Sequence, residues 1–216
     1  MQILDIHTHI LPAVPESALY SLQYGQEPPS GCFCSAGLHP WFLDENVTTG
    51  FGWLESVALN PSVLAIGEAG IDLLRGPSVE FQERVFTAQV ELAERLRKPL
   101  IVHMVRSADR ILRLRKYLSP DMPWLIHGFR GGAALASQLL DSGAQISFGR
   151  SYNIEAVRVV GLENLLVETD GQCNIYDVIS TVAQSLEVSY DDVREAAIHN
   201  VSRFLGVPVA RKEKEL

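Results

Sequence analysis

Short apolar runs alternate with longer amphipathic stretches along almost the whole chain, and that alternation constrains the fold more than any other feature. Runs such as LIVH and NLLVE are apolar at nearly every position. That suits strands covered on both faces, as in a parallel sheet flanked by helices. The spacing predicts strands over Gln2–Ile6, Gly31–Gly37, Val63–Gly67, Leu100–His103, Trp124–His127, Ala144–Phe148 and Asn164–Glu168, with the less regular Ala18–Gln23 as an eighth. In Ser78–Arg97, residues Phe81, Val85, Ala88, Leu92 and Leu96 fall on one helical stripe; Ser78 stands where a cap is needed and Lys98-Pro99 stops the run. Further helices are predicted over Ala108–Leu118, with Arg110, Arg113, Arg115 and Lys116 on a solvated outer face, and over Ala133–Ser142, ending at Gly143. A last helix runs from Ser189, with Asp192 completing a capping box, to Leu205.

Strands and helices in this order imply an α/β chain folded as a (β/α)8 TIM-like barrel, one domain over residues 1–216. Such barrels typically take about 250 residues. This chain has 216, so the barrel is expected to be distorted and trimmed. The shortage falls at the start. Only Ile10–Glu16, which contains prolines, separates the first strand from Ala18–Gln23, so the first outer helix is expected to be lacking. Residues 209–216 read as a charged, frayed tail.

Composition removes several function classes. No apolar stretch approaches the roughly 20 residues needed to span a bilayer. The opening MQILDIHTHI lacks the basic and small-residue segments of a secretory signal, so a cytoplasmic location is expected. A net charge of −8 argues against a broad basic footprint for duplex nucleic acid, while leaving room for a small phosphate ester or a nucleic-acid end. Cys32, Cys34 and Cys173 make an odd count; Cys32 and Cys34 share one face of a strand and read as small buried hydrophobes.

Of the 6 histidines, His7, His9, His39, His103 and His127 all stand where an apolar run gives way to a loop, and Glu68 and Asp170 occupy equivalent exits. In parallel barrels the carboxyl ends of strands are where sites are built, and imidazoles beside carboxylates form a ligand set for divalent metals. Taken singly, each could be a satisfied buried side chain. Gathered at one rim, they point to a metal centre.

The motifs HTH, GLHP, GEAGID, a helix carrying FxxQ, PLIVH, HGFRG and ETD follow one another in the order and spacing of the TatD-like hydrolases. The chain resembles these metal-dependent enzymes of the amidohydrolase-type barrel group from Asp5 to HNVSRFLG. The resemblance implies that His7, His9 and Asp170 hold a first divalent ion, that Glu68 bridges to a second, and that His103 and His127 complete the second site. Zn, Mn or Mg would each suit such a set. Glu68 and Asp170 are then the catalytic carboxylates, with Asp170 accepting a proton from water. His39 and Asp72 match family positions near the pocket, as residues that support ligands or face substrate. Arg106 comes three residues after His103, where many members carry an arginine two residues after; Arg130 and Arg150 follow later strands and could clamp phosphate. GQCNIYD replaces a segment that commonly contains a proline and a tyrosine. The implied reaction is hydrolysis of a phosphodiester, in the family's usual assignment the trimming of single-stranded DNA ends by a deoxyribonuclease. The alternative is a small phosphomonoester, ester or amide cleaved by the same centre. No membrane and no obligate protein partner are expected.

Overall fold

In the computed structural model, which describes residues 2–44 and 46–208, the apolar runs become eight parallel strands closed in sequence order into a barrel. They are β1 (Asp5–Thr8), β2 (Ala18–Leu22), β3 (Phe33–Ala36), β4 (Val63–Asp72), β5 (Leu100–Val105), β6 (Trp124–Ile126), β7 (Gln145–Phe148) and β8 (Leu165–Val167). Outside the strands lie α1 (Val47–Val57), α2 (Val79–Leu96), α3 (Ala108–Leu118), α4 (Ala133–Asp141), α5 (Ile154–Asn164), α6 (Ile175–Leu186) and α7 (Tyr190–Leu205). Ser78 caps α2 by accepting from the Phe81 N–H, and Ser189 and Asp192 form the expected capping box of α7. Helices α1, α5 and α6 lie outside those the spacing predicts. α1 contains Gly50 and Gly52, and α5 is interrupted at Gly161 (φ 62°, ψ 171°), so neither shows an unbroken amphipathic stripe. The tail at 209–216 lies outside the described residues.

The trimming goes one step beyond the expected loss. The link from β1 to β2 holds a single 3-10 turn, Pro15–Ser17, and the link from β2 to β3 has no helix either. Pro28 and Pro29 withhold amide donors there, and Gly25 (φ 85°) and Gly31 (φ 75°) turn the chain through the left-handed region. This side of the barrel is therefore covered by loop and by α1.

Two apolar layers hold the fold. One lies between strands and helices and includes Ile66, Ala69, Phe86, Leu100, Trp124 and Val178. The other fills the barrel with Ile6, Leu19, Ala65, Ile101, Leu125 and Leu166, and Val201, Phe204 and Leu205 of α7 pack into it together with Ile3 and Phe33 from the amino ends of the strands. The opposite, carboxyl end is thereby left for polar side chains.

Two bulges decide which side chains reach that end. Asp5 aligns with Ala18 and Thr8 with Tyr20, so β1 spends three steps against two on β2. Ile66 aligns with Leu100 and Ala69 with Val102, giving β4 the same excess over β5. Ile6 faces the barrel interior, and strict alternation would turn His7 outward; the extra residue returns it inward. Ile66 and Ala69 both face the helices, so Gly67 and Glu68 together occupy the inward stretch between them.

The basic face of α3 departs from its expectation. Arg110 and Arg113 pair with Glu83 of α2, at 2.8 and 2.9 Å. Arg115, however, is buried: it lies 5.1 Å over the Trp124 ring and donates to the carbonyls of Ser142 and Gly143, both at 2.8 Å. The last turn of α3 abuts the end of α4, and a long side chain at that position finds carbonyls rather than water.

Candidate metal centre

Glu68 stands at the middle of the carboxyl end, only 4% exposed, and each of its oxygens meets a different set of imidazoles. Oε1 lies 2.5 Å from His103 Nδ1, 2.7 Å from His127 Nε2 and 3.1 Å from His39 Nε2. Oε2 lies 3.3 Å from His7 Nε2 and 3.2 Å from His9 Nε2, yet this buried oxygen receives no hydrogen bond. Asp170 joins the second group, with Oδ1 at 3.5 Å from His9 Nε2 and 3.8 Å from His7 Nε2. Its backbone is left-handed (φ 50°), a conformation aspartate tolerates better than most residues. The Asp170 N–H donates to the His7 carbonyl at 3.0 Å, and Oδ2 accepts from Gln172 at 2.6 Å, so Oδ1 is the oxygen left facing the histidines.

The partners of the far ring nitrogens reveal the tautomers. His103 Nε2 faces Asp72 Oδ2 at 3.2 Å, and His127 Nδ1 faces Glu168 Oε1 at 3.3 Å. Each of these nitrogens must carry a proton to meet a carboxylate, so in the neutral ring the other nitrogen presents a lone pair to Glu68. A carboxylate oxygen 2.5–2.7 Å from two lone pairs is repulsive unless a cation, a proton or a metal ion, stands among them. His39 behaves differently. Its Nδ1 accepts from the Trp41 N–H at 3.1 Å, which places the proton on Nε2, the atom facing Glu68. His39 therefore donates to the carboxylate and supports it instead of offering a lone pair.

Electrostatics follow from this crowding. Burial alone would raise Glu68, but the adjacent rings of His127, His103 and His39 hold it well below the usual carboxylate range. Burial would likewise lower His127; Glu68 and Glu168 on its two sides instead raise it well above an ordinary histidine. Burial lowers His39, and the adjacent Glu68 carboxylate raises His9. Three groups of donors whose candidate ligand atoms all lie within 4.8 Å of one another result: His7, His9 and Glu68; His7, His127 and Asp170; and His39, Glu68 and His103. The unpartnered Glu68 oxygen and the opposed lone pairs fit divalent cations, with His39 the exception for the tautomeric reason given.

Two buried carboxylates stand behind the ligands, Asp72 and Glu168. Asp72, expected either to support a ligand or to face substrate, is 2% exposed and sits beneath His103 and Trp41, whose Nε1 donates to it at 2.5 Å. Sequence reading gives Glu168 no role beyond its place in ETD. It is fully buried and also accepts from Ser147 Oγ at 2.5 Å. The missed signal was parity: Leu166 faces the barrel interior, so a residue two positions on must face it too. Helix α2 steadies the rim through two buried amides. Gln89 exchanges hydrogen bonds with the Leu38 backbone at 2.7 and 3.1 Å, and Gln82 accepts from the Asp72 N–H at 2.8 Å. At the seam, β8 meets β1 through the single register pair Asp5 and Val167. There Asp5 accepts from the Thr169 N–H at 3.0 Å and hydroxyl at 2.7 Å. Arg106, Arg130 and Arg150 lie exposed just beyond β5, β6 and β7. Beside Glu68, on the β2–β3 side, opens a recess of about 610 Å³.

Comparison with known proteins gives a consistent pattern. A family described as TatD related DNase matches residues 4–206. A protein named uncharacterized metal-dependent hydrolase YcfH, from Escherichia coli (strain K12), is 28% identical over 200 residues, covering 82% of this chain and 75% of its own length. One named 3'-5' ssDNA/RNA exonuclease TatD, from Klebsiella pneumoniae (strain 342), is 33% identical over 164 residues, covering 65% of this chain and 57% of its own. Among solved structures, YJJV, a TatD homolog from Escherichia coli K12, superposes with a TM-score of 0.82 at 21% identity, covering 96% of this chain and 99% of that one, a likeness of fold.

Proposed function

The chain belongs to the TatD-related DNase family, and we propose that it is a metal-dependent hydrolase that cleaves phosphodiester bonds at a paired divalent-cation centre. The observation that carries this reading is the division of Glu68: one oxygen turned to His103 and His127, the other to His7 and His9 with Asp170 beside them. A carboxylate shared in this way suits a bridge between ions. His7, His9 and Asp170 would hold one and His103 and His127 the other. Zn, Mn or Mg would supply the same chemistry when bound, a more acidic water and neutralisation of the phosphoryl charge.

The chain's own residues do the rest. Asp72 and Glu168 fix the tautomers of His103 and His127, and His39 orients Glu68 by donating to it. Asp170 is the candidate general base, because Oδ1 is free of the Gln172 hydrogen bond and the side chain is 26% exposed. The exposed Arg106, Arg130 and Arg150 stand on the β5–β7 side of the rim, where an anionic portion of a substrate would be attracted. The relative named as an exonuclease supports a single-stranded DNA or RNA end as the substrate.

The test measures hydrolysis of bis(p-nitrophenyl) phosphate and of a single-stranded oligonucleotide by wild type and Glu68→Ala, each supplied with Mn²⁺, Mg²⁺ or Zn²⁺. Metal content is read in parallel by mass spectrometry. We expect two ions per wild-type chain and a fall in turnover of about a hundredfold or more in the variant. Equal rates for the two proteins would sink the assignment.

A further inference from the structure

The recess beside Glu68 differs in character from the arginine-bearing side of the rim. Its inner end is formed by His9, His39 and Glu68, so it is continuous with the candidate centre. Leu22, Leu38, Leu43 and Val47 give it apolar walls, while Gln23, Asn46 and Thr49 offer a polar edge. Two aromatic rings border it without being packed away: Phe42 is 77% exposed and Tyr24 58% exposed. Tyr24 is held by an edge contact with Trp53 at 5.5 Å, and Phe42 stands 5.4 Å from His39. Among the described lining residues there is no lysine or arginine, and Asp44 adds a negative charge. A volume of about 610 Å³ lies within the range of sites for small organic molecules.

These features select against a phosphate and in favour of a flat, uncharged group with a hydrogen-bonding edge. Exposed aromatic faces stack on bases whatever their identity. An anionic group placed in the outer part of the recess would meet Asp44 without a lysine or arginine in the described lining to offset it.

We propose that the recess is a specificity subsite for an unphosphorylated terminal nucleoside. Its base lies against Phe42 and Tyr24, the adjoining ester lies over Glu68, and the rest of the strand leaves toward Arg106, Arg130 and Arg150. The proposal rests on the phosphodiesterase reading for the ester bond, but not for the occupancy of the recess. It makes the enzyme one that accepts free ends and refuses phosphorylated ones.

Two independent measurements test it on the metal-loaded full chain. Hexathymidylates with a free or a phosphorylated 3′ end are compared in kcat/KM for release of the terminal unit, with bis(p-nitrophenyl) phosphate as a minimal ester. Thymidine binding is followed separately by saturation-transfer NMR. Wild type should prefer the free end at least tenfold and show transfer to thymidine. Thr49→Trp, which fills the recess from an exposed position of α1, and Phe42→Ala, which removes a face, should each lower that preference to less than threefold and weaken the thymidine signal. Equal wild-type rates on the two ends, or thymidine signals unaltered in both variants, would overturn the subsite. Thymidine binding that is lost in the variants, without turnover of any ester by wild type, would support the subsite and overturn the phosphodiesterase reading.

Discussion

At the scale of single residues, the candidate centre is organised by carboxylates that touch no substrate. Asp72 behind His103 and Glu168 behind His127 each hold a ring proton away from Glu68, so the lone pairs converge. Replacing Glu168 by glutamine keeps the shape but turns an anion into a neutral amide, weakening its hold on the His127 proton. Partners of this kind typically govern metal affinity by about 10–100-fold. Glu168→Gln is therefore expected to weaken metal binding on that scale, measured by competition with a chromophoric chelator, while the far-ultraviolet circular dichroism stays that of the wild type. Unchanged affinity would mean that Glu168 is only a packed polar group satisfied by Ser147. A second residue prediction concerns the cysteines. Cys34 is fully buried, and burial pushes its thiol up to about 12. Because thiolates are the reactive form, Cys34 should resist alkylation at pH 8 in the folded chain and react fully in urea, as read by mass spectrometry. Rapid modification of the native protein at Cys34 would contradict the buried assignment.

At the scale of elements, the bulges of β1 and β4 convert a strand pattern into a site. β4 can carry its bulge because its glycines allow neighbouring backbones to close in. A Cβ on Gly70 would lie 2.0 Å from the His103 carbonyl oxygen, so β5 would have to move and take His103 with it. Gly70→Ala is expected to cost about 1–3 kcal/mol, as overpacking does, and also to weaken metal binding. Gly52 provides the contrast, since a Cβ there meets nothing within 4 Å and the residue lies inside α1. Gly52→Ala should raise stability by about 0.4–1 kcal/mol. Thermal melts of the pair check both signs, and a loss from Gly52→Ala as large as that from Gly70→Ala would remove the steric explanation. The same elements show how far the sequence could be read. Polar residues closing apolar runs mark strand exits, so the positions of His7, His103, His127 and Asp170 are legible from pattern alone. The inward turns of His7 and Glu68 are not, because each bulge depends on register with a neighbouring strand, β2 for β1 and β5 for β4. Gln82 and Gln89 escape notice for a related reason: on a helix they look solvated, and only the docking of α2 on the barrel buries them. Arg115 reads as surface until α4 supplies its carbonyls.

At the scale of the whole molecule, the barrel keeps its apolar plug and its polar site at opposite ends. Phe204, 2% exposed, packs with Leu19, Ile101 and Leu125 inside the barrel, whereas His7, His9, His39, His103 and His127 cluster at the carboxyl rim. Phe204→Ala should leave a cavity and cost about 3–5 kcal/mol. For a chain of this size that lowers Tm by roughly 2–4 °C per kcal/mol. Bound metal acts from the other end. A divalent ion at a hundred times its Kd would add about 2.7 kcal/mol, which a chelator should remove. Sites that share no contacts are expected to behave additively within about 0.5 kcal/mol. Chelation should therefore destabilise the wild type and Phe204→Ala equally, as measured by urea unfolding with and without EDTA, and the variant should bind metal with wild-type affinity. A chelator effect that disappears in Phe204→Ala would show that the plug and the rim are coupled through the strands. The Asp5–Thr169 contact at the β1–β8 seam would then be the place to look, since it ties the strand of His7 and His9 to the backbone of Asp170.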